Sequence, residues 1–420
     1  MIDWLTDRDG SLHAEDVPLA SIAGRFGTPA YVYSRAAIES AFGEFARAAA
    51  GRRVLICYAL KANSSLAIVD LLGRAGAGFD IVSGGELKRV IAAGGDPRRV
   101  VFSGVGKSEA EIRLALEHRV RCFNVESASE LRRLSAIASA TGLSAPVSLR
   151  VNPDVDARTH PYISTGLREN KFGIAHDAAV QAYREAASLP GLKVVGIDCH
   201  IGSQITELTP FVAAVDKVIE LVSVLAREGI ALQHVDLGGG LGIRYDAERP
   251  PSPGAMLDAV FERIDASPPV RGLEVMFEFG RSIVGNAGLL LTRVEYLKTN
   301  GPKRFAVVDA AMNDLLRPAL YEAFHRIVPV ARRGEPAALY DVVGPVCESG
   351  DWLGRDRTLS IREGDLLAIL SAGAYGMAMS SNYNTRPRPP ELMVDGATVH
   401  LIREREPIES LYALERRLPE

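Results

Sequence analysis

The chain has 420 residues, of which 47% are hydrophobic and 24% charged, enough for a sizeable core and incompatible with disorder. A formal net charge of -4, with both signs mixed along the chain, excludes a basic stripe for nucleic acid and a polybasic membrane patch. No run approaches a membrane span, and the stretch 1–8 is too acidic and too briefly apolar for a signal peptide, so a cytoplasmic setting and a small-molecule partner are expected.

Residues 1–35 hold two short strand candidates, at 11–13 and 31–33, separated by a helix-like stretch at 19–26. From about 36 to 285 the pattern turns regular. Apolar strand runs recur at 54–59, 78–82, 100–103, 121–125, 147–151, 194–199, 234–237 and 275–279, and most are separated by helix-period segments such as 110–117, 128–138, 177–187 and 211–227. Eight strands alternating with helices predict an α/β chain with a (β/α)8 TIM barrel over 36–285; an open doubly wound sheet is the alternative. Beyond 285 the apolar period shifts towards two, with strands predicted at 291–297, 305–308, 339–343, 365–370, 392–394 and 398–402 and a hairpin turn at 394–397. Residues 286–420, joined by 1–35, are expected to form a mostly β second domain. The Pro-rich stretch 386–390 reads as a rigid loop.

In a barrel, active sites lie at the C-terminal ends of the strands. The residues there are unusual. Lys61 follows the first strand, Asp80 and Ser83 end the second, Arg150 the fifth, His200 the sixth, Gly238, Gly239 and Gly240 the seventh, and Glu278, Gly280 and Arg281 the eighth. A lysine at the edge of a core is partly desolvated, which favours the neutral amine and allows a Schiff base; a lysine at a strand end can also simply point into water. The glycines after the seventh strand leave backbone amides unshielded, as a phosphate dianion requires, although a tight turn alone would also explain them. Their separation from Gly280 matches the two loops between which barrels commonly bind phosphate.

Glu278 ends an apolar run and needs a cationic partner: a protonated pyridine nitrogen, or a salt bridge to Arg281 or Arg150. His200 can stack on a flat ring while Ser203 reaches a phosphate, or it can be an ordinary hydrogen-bonded histidine. In the second domain, Arg317 and Tyr321 stand four residues apart, where they can grip a carboxylate or lie solvated; Pro318 permits a helix there only in its first turn. Tyr375 lies among small residues that admit a ligand, or else packs in the core. The cysteines at 57, 122, 199 and 347 show no metal spacing, so no metal centre is expected. The first three sit in strand-like runs as core residues, whereas Cys347 lies in a turn-rich acidic loop that a substrate can reach.

With these residues assembled, the chain resembles the diaminopimelate decarboxylase family, pyridoxal phosphate enzymes of the alanine racemase-like, fold type III class. The likeness runs over nearly the whole chain. Its motifs are Tyr58-Ala59-Leu60-Lys61-Ala62-Asn63, His200-Ile201-Gly202-Ser203-Gln204 and Leu237-Gly238-Gly239-Gly240. More discriminating are the stretches 160–166, 312–321 and 347–351, and Gly373-Ala374-Tyr375-Gly376-Met377-Ala378 with Asn382-Tyr383-Asn384. The family usually has Glu-Pro-Gly-Arg where this chain has Glu278-Phe279-Gly280-Arg281, a departure expected to have little effect.

The resemblance implies decarboxylation of meso-2,6-diaminopimelate to L-lysine, the last step of lysine biosynthesis. Lys61 would carry pyridoxal 5'-phosphate, with Asp80, Arg150, His200, Ser203, Gly238, Gly239, Gly240, Glu278, Gly280, Arg281 and Tyr375 around it. Cys347 would protonate the α-carbon, and Arg281, Arg317, Tyr321, Glu348 and Tyr375 would hold the substrate. It also implies a homodimer with shared active sites. The competing readings are a related decarboxylase acting on ornithine, arginine, carboxynorspermidine or a carrier-bound acid, and a non-catalytic pyridoxal phosphate carrier; a racemase would need a second base, and none stands in the expected position.

Overall fold

The computed structural model of the chain describes residues 2–156, 165–166, 170–334 and 336–420. The chain divides into two compact units, one made of Met1–Ser40, Arg244–Glu248 and Ile283–Glu420, the other of Ala41–Ile243 and Arg249–Ser282.

The second of these is a closed barrel of eight parallel strands, Val54–Ala59, Gly78–Ile81, Val100–Phe102, Cys122–Val125, Ala145–Asn152, Leu192–Asp198, His234–Asp236 and Glu274–Phe279. It closes where Glu274–Phe279 pairs with Val54–Ala59, and the open doubly wound alternative is thereby set aside. Helix starts are written locally. Ser83, Ser108, Ser127 and Ser252 each accept a backbone N–H two or three residues into a helix.

Side chains alternate across a strand, so residues two apart share the barrel interior. Low in the barrel, Leu55, Cys57, Val101, Cys122, Val195 and Met276 form an apolar floor. Two residues further along several of these strands the inward positions turn polar: Ser103 follows Val101, Asn124 follows Cys122, and Glu278 follows Met276. Asp80, Arg150, Asp198 and Asp236 are buried with them. A dry floor below a polar layer is what confines charge to the mouth of a barrel.

The other unit is organised around the long strand Gly288–Asn300. It pairs antiparallel with Ala30–Ser34, Lys303–Val308 and Leu366–Ile369, and Ala30–Ser34 pairs in parallel with Glu391–Asp395. The predicted hairpin is present, with Asp395 opposite Thr398 and Gly396 at φ 58. Of the two early strands, 30–34 enters this sheet, while Ser11–Ala14 lies in a separate three-stranded sheet with Leu5–Arg8 and Val17–Pro18. Trp352–Leu359 is a strand not foreseen from the sequence, because its charged residues Arg355, Asp356 and Arg357 mask the alternation.

Candidate active site

Lys61 lies in the single 3-10 turn Leu60–Ala62 that follows the first barrel strand. Register explains its neighbour. Ala59 stands directly opposite Asp80 on the second strand, so two residues later the lysine Nζ reaches Asp80 Oδ2 at 2.6 Å. Asp80 is fully buried, and its Oδ1 has no hydrogen-bond partner among the described residues.

Glu278 is 5% exposed and accepts from Ser103 Oγ and Asn124 Nδ2, each at 3.3 Å. Arg150 bonds Glu126 instead, at 3.0 Å, and Arg281 donates to Ser203 Oγ through Nε and Nη2. Among the described residues no ion pair joins Glu278 to either arginine. Around it, oxygens of Asp198, Asp236 and Glu278 lie within 4.8 Å of one another, and Asp198 Oδ1 and Asp236 Oδ2 are orphaned. Burial above all, and then the neighbouring acids, push the carboxyls of Asp198 and Glu278 well above their usual range; burial likewise raises Asp236. A cation placed against Glu278 would oppose that rise and favour the carboxylate.

The sign of the pH dependence follows from these shifts. A carboxyl raised on folding contributes stability that is present below its unfolded value and lost as pH rises through its folded value. His200 and His234, both lowered chiefly by burial, contribute in the opposite sense, and that contribution is complete above about pH 6.5, the free histidine value. The cofactor-free protein is accordingly expected to lose melting temperature as pH rises from about 6.5 through about 7, the raised value of Asp236, and beyond, in a differential scanning fluorimetry series.

His200 is kept neutral by the protein around it and by the charges of Arg150 and Lys61, and its Nδ1 accepts the Gly239 N–H at 3.1 Å. The ring is thus fixed by the glycine loop. Gly238 donates to Asp236 Oδ1 at 2.9 Å, so two of the three glycine amides are used internally, whereas the amide of Gly240 has no acceptor among the described residues. A Cβ at Gly239 would collide with the carbonyl oxygen of Glu278, and one at Gly240 with that of Gly202. The glycines let these loops pack backbone to backbone, as the tight-turn reading requires.

These residues fit a pyridoxal phosphate. There is an amine beside a buried acid, a buried carboxyl that accepts from Ser103 and Asn124, an imidazole fixed by a backbone N–H, and a glycine loop near Ser203 and Arg281. Asp198, Asp236, Ser103, Asn124 and Glu126 were not foreseen as part of this layer. Their signal was the strand parity: Asp236 is the residue two before Gly238, and Asp198 stands opposite both Arg150 and Asp236 in register.

In the other unit, Arg317 opens the helix Arg317–Tyr321 and Pro318 falls in its first turn, as a helix there demands. Cys347 is exposed, and its loop is braced rather than loose. Asp351 accepts from Met312 N and Val346 N, both at 2.7 Å, the Cys347 amide faces Asn384 Oδ1 at 3.4 Å, and Glu348 accepts the Tyr383 hydroxyl. Tyr375 takes a left-handed backbone conformation, φ 56, which for a tyrosine costs about 1–3 kcal/mol and is kept where a site requires it. Residues 160–164 of the discriminating stretch at 160–166 lie outside the described residues.

The parallel barrel that carries Lys61 after its first strand spans the pyridoxal-binding domain of a decarboxylase. The model of the pyridoxal binding domain of pyridoxal-dependent decarboxylases matches residues 35–285. The chain is 58% identical to a diaminopimelate decarboxylase of Pseudomonas aeruginosa, covering 100% of both chains, and 57% identical to that of Vibrio cholerae, covering 98% of both. The crystal structure of diaminopimelate decarboxylase from Helicobacter pylori complexed with L-lysine superposes with a TM-score of 0.90 at 42% identity, over 94% of this chain and 99% of that one. The chain belongs to the diaminopimelate decarboxylase family, and its cofactor is pyridoxal 5'-phosphate.

Proposed function

We propose that the chain converts meso-2,6-diaminopimelate to L-lysine and CO2 as the last step of lysine biosynthesis. The barrel over 36–285 would carry the cofactor, and 1–35 with 286–420 the substrate-holding and catalytic groups. The observation that carries this reading is the Lys61 Nζ held 2.6 Å from a buried acid, in a strand-end turn inside the stretch that the pyridoxal binding domain model matches.

When bound, pyridoxal phosphate supplies an electron sink for the pair left behind by departing CO2. The protein residues do the rest. Lys61 would hold the cofactor, with Asp80 orienting its Nζ. Glu278 would serve as the carboxyl partner of the cofactor's ring nitrogen, and neutral His200 would lie against its ring. Ser203, the loop Gly238–Gly240, Gly280 and Arg281 would hold the phosphate, with Arg150 and Tyr375 completing the cofactor's surroundings. Arg281, Arg317, Tyr321, Tyr375 and Glu348 grip the far amino-acid end, whose carboxylate needs cations and whose ammonium needs an anion. Cys347 Sγ delivers the proton to the α-carbon.

Purified protein given pyridoxal phosphate and meso-diaminopimelate should release L-lysine and CO2 in equal amounts. Turnover of ornithine, arginine or carboxynorspermidine with none of diaminopimelate would replace the substrate assignment, and a bound cofactor with no turnover of any would reduce the chain to a carrier.

The enzyme would work as a homodimer with shared active sites, Cys347 serving the partner's barrel. An exposed thiol in a braced loop supports this, and four free cysteines fit a cytoplasmic setting. No helix among the described residues is long and apolar enough to cross a membrane. Mixing inactive Lys61→Ala and Cys347→Ala proteins should restore about a quarter of the activity, because random exchange makes about half the dimers mixed and each mixed dimer has one intact site. Absence of recovery after verified subunit exchange would contradict shared sites.

A further inference from the structure

Arg317 is 6% exposed, and its guanidinium is held by a buried imidazole. Its Nη1 lies 2.8 Å from Nε2 of His325, a fully buried histidine whose Nδ1 lies 2.9 Å from the carbonyl oxygen of Leu370. A carbonyl only accepts, so Nδ1 carries the hydrogen. A guanidinium only donates, so Nε2 must offer its lone pair. The bond therefore exists only with a neutral ring in one tautomer, and both ends of that ring are fixed.

The local chain path builds this arrangement. Glu322 ends the helix Arg317–Tyr321 in a left-handed conformation, φ 51, and turns the chain back. Ile327 then pairs with Ile369, and Leu370 N donates to Arg326 O at 2.8 Å, which seats His325 beside the carbonyl it bonds. The face of Tyr245 lies 4.6 Å from Arg317 Cζ, and the Tyr245 and His325 rings meet edge to face at 5.3 Å. Tyr245 belongs to the short segment Arg244–Glu248, which joins this unit from the middle of the barrel sequence. A carboxylate in the place of His325 would orient the guanidinium equally well but would cancel its charge. An imidazole and a ring face orient it without themselves cancelling its charge.

We propose that His325, seconded by Tyr245, is a positioning residue for substrate specificity: it presets the Arg317 fork to receive the far carboxylate of a diamino-dicarboxylic acid while preserving its positive charge. This rests on Arg317 being the holder of that carboxylate, as proposed above.

The test separates the two. In His325→Asn the shorter amide can still donate to Leu370 but cannot reach Arg317, whereas in His325→Gln an oxygen can occupy the place of Nε2. His325→Asn should raise KM for meso-diaminopimelate about 10-fold with kcat within about 3-fold, and His325→Gln should restore most of the loss. Inhibition by L-lysine, which keeps the far carboxylate, should weaken in parallel, while inhibition by 1,5-diaminopentane, which has none, should not change. Arg317→Ala should raise KM further, and adding His325→Asn to it should cost nothing more. An unchanged KM in His325→Asn beside a raised KM in Arg317→Ala overturns the positioning role and leaves the arginine reading intact. An unchanged KM in Arg317→Ala overturns the arginine reading itself. If His325→Asn does not fold, Tyr245→Leu takes its place: a raised KM at constant kcat supports the proposal, and an unchanged KM overturns it.

Discussion

Lys61→Ala is expected to abolish the visible absorbance of the bound cofactor and to lower kcat by at least about 10^3-fold, on the order of 4 kcal/mol of barrel-mouth chemistry at 1.36 kcal/mol per decade. In the proposed role the side chain would do two things at one place: tether the cofactor, and keep an amine at the reacting centre, an advantage of proximity that no free amine in solution can match. Asp80, 2.6 Å away and fully buried, fixes where that amine points. The truncated protein should still fold, because Lys61 is 34% exposed and no part of the apolar floor depends on it. Partial rescue by a small primary amine would show that the loss is one of chemistry and not of structure.

Glu278→Gln has the second largest expected effect, and it runs in two directions. Activity should fall about 10^2- to 10^3-fold, the usual loss when a preorganised electrostatic partner of a reacting group is removed. The amide keeps the volume and can still bond Ser103 and Asn124, but it cannot sustain a positive charge on the ring nitrogen. In the cofactor-free protein, by contrast, the substitution should raise the melting temperature above neutral pH. There Glu278 is a buried acid packed against Asp236, Asp80 and Asp198, and its ionisation is opposed by burial first and by those acids second. A site that is strained when empty and relieved by its cofactor is the expected pattern where function is placed ahead of stability. Equal activity with Gln, or a lower apo melting temperature at high pH, would count against this role for Glu278.

Much of the barrel was legible because its strands are apolar runs separated by helical periods, and all eight predicted strands are present within a few residues of their predicted bounds. The two end-loops of glycine were equally plain. The polar layer was not, since an inward aspartate such as Asp198 reads in one dimension as a blemish in a strand, and only the register that puts Arg150 and Asp236 opposite it shows the cluster. His325 was invisible for a related reason: its partners, Arg317, Tyr245 and Leu370, come from sequence separations that no local pattern encodes. The dense charge along Trp352–Leu359 hid a strand that the backbone nonetheless forms between neighbours. The cation expected beside Glu278 was read from the sequence as either an arginine or a pyridinium, and the structure narrows that choice by engaging Arg150 with Glu126.

The most direct measurement is reduction of the cofactor-loaded protein with borohydride, followed by digestion and mass spectrometry of the labelled peptide. A single pyridoxyl label on Lys61 is the predicted result. A label on any other lysine, or none on Lys61 in protein that retains activity, would contradict the assignment from which every other role in the site is drawn.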